Sequence, residues 1–103
     1  MSIYQIHFQA NPALWPTDPQ ENLALWEQTA EGADAMLKTG AMRDLFFISA
    51  SEGYVCVDAD NKSAAVAVAA AFFPNWTQEI QELVPWEQAK DAILSAVRQA
   101  ASA

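Results

Sequence analysis

Residues Ile3 to Ala10 alternate, with Tyr4, Ile6, Phe8 and Ala10 on one side and Ile3, Gln5, His7 and Gln9 on the other. A period of two in β-favouring residues predicts a strand whose first set faces the core. Asn11 to Pro19 holds Pro12, Pro16 and Pro19 around Leu14 and Trp15, which predicts a stiff loop. The period then becomes helical, with Leu23, Trp26, Ala30, Ala33 and Leu37 at the buried positions. Thr17 is the expected N-cap, Gln20 completes a capping box, and Gly40 sits where a helix end favours a left-handed residue. Gly32 inside this helix costs about 1 kcal/mol relative to Ala, which suggests a close helix crossing there.

Met42 to Ala50 is apolar on both faces around Leu45, Phe46, Phe47 and Ile48, so a strand covered from two sides is expected. Ser51-Glu52-Gly53 reads as a turn, and Tyr54 to Ala59 alternates again to complete a hairpin. Asp60 or Asn61 caps a second, Ala-rich helix that Pro74 ends. Trp76 to Leu83 is a fourth strand. Pro85 starts a third helix, whose expected buried stripe is Trp86, Ala89, Ile93, Val97 and Ala100.

The order β-α-β-β-α-β-α predicts an α+β domain, a ferredoxin-like split βαβ with an additional C-terminal helix, spanning residues 1–103 as one unit. In that topology both helices of the repeat cover one face of the sheet. Tyr4, Ile6, Phe8, Val55 and Val57 fit the covered face. Gln5, His7, Gln9, Tyr54 and Cys56, together with Trp76, Gln78 and Ile80, are then expected on the open one. A face mixing aromatics with amides marks an interface or a ligand site. Two such sheets packed together would bury it, with a pocket in the gap.

Composition narrows the classes. Thirteen acidic against five basic residues give a net charge of −8, which argues against nucleic acid and anionic membrane as partners. The longest apolar run, Ala64 to Phe73, falls short of the ~20 residues of a membrane span. Four Trp, five Phe and two Tyr are a heavy aromatic load for 103 residues, consistent with a subunit interface as well as a filled core. One Cys excludes an intramolecular disulfide. No signal-peptide pattern opens the chain, so a cytoplasmic location is expected.

The segments Leu37-Lys38-Thr39-Gly40, Gly53 to Asp60 and Phe72-Phe73-Pro74-Asn75-Trp76 resemble the dimeric α+β barrel superfamily. Within it they are most similar to muconolactone isomerase-like proteins and the short uncharacterised family beside them. Val84-Pro85-Trp86-Glu87-Gln88-Ala89 looks more like the uncharacterised group. The resemblance implies homodimers or higher homo-oligomers and a pocket on the open sheet face. It carries over no single reaction, because the superfamily hosts isomerases, monooxygenases, decolorising peroxidases and members without known activity.

His7 is the candidate catalytic residue, since imidazole is suited to moving protons near neutral pH. Strand spacing gives it no evident ionisable partner, so a hydrogen-bonded interface residue is the competing reading. Gln5, Gln9, Tyr54, Trp76 and Gln78 are the candidate ligand-binding residues of the open face, with Tyr54, Gln5 or Gln78 suited to orienting a substrate. Trp15 could lie over the pocket mouth or staple the proline loop to the body. Arg43 could bind a carboxylate or serve an interface ion pair. Cys56 has no basic residue nearby and reads as a small filler.

One Cys and one His are too few for a structural zinc site, and Asp58 to Ser63 fails the calcium-loop pattern, with Lys62 and Ser63 where a ligand and a glycine belong. No metal or cofactor is expected. Three functions stay open: a protein that binds a small apolar or aromatic molecule on the open face, a cofactor-independent isomerase or monooxygenase using His7, and a structural module without activity.

Overall fold

Alternation along the first strand sets up the sheet. The computed structural model describes residues 1–102, and its elements are β1 (Ser2–Ala10), α1 (Pro19–Thr39), β2 (Asp44–Ser49), β3 (Glu52–Ala59), α2 (Lys62–Ala70), β4 (Trp76–Leu83) and α3 (Trp86–Ala101). The strands form one sheet in the order β2-β3-β1-β4, with every neighbouring pair antiparallel. This small α+β arrangement, with β1 central between β3 and β4, fits the ferredoxin-like fold.

Tyr4, Ile6, Phe8, Val55 and Val57 are buried on one face of the sheet, as the alternation predicts; Ala59 joins them, and Ala10, expected with them, is half-buried. Ile6 and Val57 are each only 1% exposed, and full burial of such a side chain contributes roughly 1.5–3 kcal/mol. Ala65 and Ala69 of α2, Ala33 of α1 and Met42 close the core over them.

Several local expectations change. The α1 N-cap is Asp18, one residue beyond Thr17: its carboxylate accepts from the Gln20 and Glu21 amides, and Pro19 takes the first helical turn, where no amide is missed. Gly40 ends the helix in the left-handed region, at φ 83°. Asn61, of the two residues offered, caps α2 through the Ala64 amide.

Gly53 is not a turn residue. β3 begins at Glu52, and Gly53 is buried opposite Phe8 and Phe47, where a Cβ would meet the Phe46 carbonyl oxygen, stand 2.6 Å from Phe8 Cζ and 3.0 Å from Phe47 Cα. Only glycine lets β2 and the Phe8 ring approach this closely.

Gly32 has the opposite character. A Cβ there would meet only Phe72 Cε1 at 3.8 Å, so no close helix crossing requires it.

Two corrections concern coverage. β2 is an edge strand with one neighbour, and Phe46, Phe47 and Ile48 are exposed, so it is not covered from two sides. None of the α3 stripe is buried: Trp86, Ile93, Val97 and Ala100 are exposed and Ala89 is half-buried among the described residues. No helix among the described residues is long and apolar enough to cross a membrane.

Candidate functional site

The fourth strand decides where the site lies. Trp76, Gln78 and Ile80 pair with Ala10, Phe8 and Ile6, and residues directly opposite in a ladder share a face. They therefore stand on the helix-covered side, not on the open face expected from the sequence. Trp76 is buried, Ile80 packs on the core, and the Gln78 side-chain amide donates to the Ala69 carbonyl of α2 at 2.9 Å. The signal was present in the alternate set: Thr77, Glu79 and Gln81 are all polar, which marks theirs as the solvent side.

On the covered side a cavity of about 260 Å³ opens between α1 and the sheet. Its floor is Ile6, Phe8, Leu45, Phe47, Val55 and Trp76; its roof is Trp26, Thr29, Ala30, Ala33 and Asp34 of α1, and Val68, Ala69 and Phe72 close one end. Gln78, Thr29 and Asp34 are its few polar groups. The space exists because α1 presents alanines at positions 30 and 33 to a sheet that offers branched and aromatic side chains, leaving the layers apart. A neighbouring hollow of about 290 Å³ shares Thr29, Phe72 and Trp76 with it and is bordered by Gly32 and Asn75.

An aromatic cluster forms the end wall. Trp76 meets Phe8, Trp15 and Trp26 edge-on, with ring centroids 5.2, 5.0 and 5.7 Å apart. Its indole N–H is buried with no oxygen or nitrogen acceptor, enclosed instead by these rings, whose faces are weak acceptors. Trp15 is held by a hydrogen bond from its Nε1 to Asn22 Oδ1 at 2.8 Å and stacks its edge on Trp26 and Trp76. It thus ties the proline loop to α1 and backs the cavity wall.

The open face carries the remaining candidates. His7 Nε2 lies 2.7 Å from Glu52 Oε2, and the His7 ring stacks on Tyr54 at 4.7 Å between centroids. Glu52, expected in a turn, is instead the first residue of β3, where it faces Gln9 and lies diagonal to His7. Glu79 stands across from His7 on β4. Gln5 pairs with Cys56 and Gln81, and Cys56 is a half-buried free thiol.

Arg43 reaches Asp58 at 3.5 Å and Asp44 at 3.7 Å, with all three side chains about half exposed, so its guanidinium is engaged within the chain. No group of three or more metal-ligating side chains occurs among the described residues.

The structure thus separates the sequence candidates into two sets. Trp76 and Gln78 line the cavity with Trp15 behind them; His7, Gln5, Gln9, Tyr54 and Arg43 belong to the opposite surface, with a sheet one backbone thick between. Trp26, Ala33 and Phe47 are cavity residues that helical spacing and the apolar run of β2 assign only to core or strand. No protein-family model and no curated protein matches the chain.

Proposed function

We propose that this protein binds a small, neutral, largely apolar or aromatic molecule, and that it does so in the cavity between α1 and the sheet. The observation that carries this reading is the cavity's lining, aromatic and aliphatic on every wall with three polar side chains. Dry apolar cavities of roughly 150 Å³ take up benzene, and ligand pockets begin near about 300 Å³. A volume of about 260 Å³ therefore suits one or two rings. The exposed Asp34 carboxylate beside the cavity and a chain charge of −8 disfavour an anion.

Isothermal titration with 1-naphthol tests the reading. Binding is expected, and Ala33→Leu, which fills the cavity from α1, weakens it by about tenfold or more, 1.4 kcal/mol. No binding of neutral one- and two-ring aromatics, or equal affinity in a folded Ala33→Leu protein, contradicts it.

A second reading rests on the 2.7 Å contact between His7 and Glu52. A carboxylate that orients an imidazole is the arrangement of a proton-transfer pair, and Tyr54 could position a substrate on the open face. A molecule in the cavity cannot reach His7, so this is a separate site. Unchanged turnover of an identified substrate by His7→Gln would remove it.

A further inference from the structure

Helix α3 has an apolar stripe that no other described residue buries. Trp86, Ile93 and Val97 recur on one side and are 66, 54 and 58% exposed. The radius of gyration is 17.7 Å, where a compact chain of 103 residues has about 13 Å, and the molecule is 64 Å long. Its accessible surface is 7085 Å², whereas a folded monomer of 11.3 kDa exposes roughly 5,700 Å². The surplus, roughly 1,400 Å², exceeds the ~800 Å² that one partner contributes to a standard stable interface. An isolated helix of 16 residues is itself marginal in water, so α3 needs a surface to lie on.

Two observations identify that surface. The polar side of α3 carries Glu87 and Asp91 against Lys90 and Arg98, a balanced set unlike the basic face of a membrane-surface helix. The same chain also offers a second uncovered apolar patch on β2: Phe46, paired with Tyr54 on the open sheet face, and Ile48 in the irregular step beside it, both 62% exposed. A projecting stripe and a vacant patch on one chain are the two halves of a reciprocal contact, in which each copy gives what the other lacks.

We propose that α3 is an exchanged arm. It lays its Trp86–Ile93–Val97 stripe on the open face of a second copy at Phe46, with Ile48 at the strand edge beside it, and the partner's α3 does the same in return. The contact is independent of the cavity, which lies on the other side of the sheet.

Size-exclusion chromatography with light scattering tests it on the full chain at micromolar concentration. The unmodified protein is expected at twice 11.3 kDa. The double variant Ile93→Asp/Val97→Asp and the single variant Phe46→Asp are each expected at the monomer mass. Their far-UV circular dichroism should show an intact body, because none of these side chains is buried in its own chain. A monomeric unmodified protein, an open-ended polymer, or a dimer that survives Ile93→Asp/Val97→Asp overturns the proposal. A dimer that is lost with the α3 variant but survives Phe46→Asp overturns the docking at β2.

Discussion

On the helix side of the sheet, Ile6, Val55, Val57 and Trp76 meet ring and methyl groups and almost no water. On the other side Gln5, His7, Tyr54 and Cys56 are half-buried, and the His7–Glu52 pair is 26 and 34% exposed at its side chains. The same four strands therefore present a packed surface, opened by the cavity under α1, and a polar surface with ordered side-chain contacts. Stability resides in the first. The second can change residue by residue at little cost to the fold, and so is free to serve a partner.

The sharpest challenge to that contrast is Gly53→Ala. Its new methyl would collide with the β2 backbone and the Phe8 ring, neither able to yield without parting β2 from β3. A loss of about 3 kcal/mol or more is expected in urea unfolding. A loss under half of that would mean β2 is loosely held.

Ile6→Ala follows, enlarging the cavity from its floor at a cost of about 3 kcal/mol in the same measurement. On the opposite face His7→Gln should change stability by less than about 1 kcal/mol, because a partly exposed side-chain hydrogen bond contributes little. If His7→Gln costs as much as Ile6→Ala, the two faces are not energetically distinct.

The smallest effect has the opposite sign. Gly32→Ala should stabilise the protein by about 0.5–1 kcal/mol, since the added methyl finds ordinary contact with Phe72 and the unfolded chain loses freedom.

Much of this architecture was legible in the chain. Alternation, helical spacing, an apolar run and the cap and proline signals located all seven elements, and Tyr4, Ile6, Phe8, Val55 and Val57 are buried as the alternation assigns. The face of β4 differs from expectation: Gln78, expected on the open face with Trp76 and Ile80, sits on the core face, where its amide satisfies the Ala69 carbonyl under α2. Glu52 was hidden by its neighbour, because a glycine after a short polar run suggests a turn, whereas Gly53 is required for tight strand packing.

The cavity could not be read at all. It arises from the distance between α1 and the sheet, a property of two layers together and not of either pattern. The α3 stripe, expected to be buried, is exposed in the single chain; periodicity says that a face needs cover and is silent on which chain supplies it.

The most direct test of the central claim, that the helix side of the sheet holds the binding site, is a titration of ¹⁵N-labelled protein with 1-naphthol, following the tryptophan indole resonances. Trp26 and Trp76 line the cavity and Trp15 packs against both, while Trp86 lies on α3. Saturable shifts of Trp26 and Trp76 with Trp86 unmoved are the predicted result. Shifts confined to Trp86, or to the amides of His7 and Tyr54 on the open face, would contradict it.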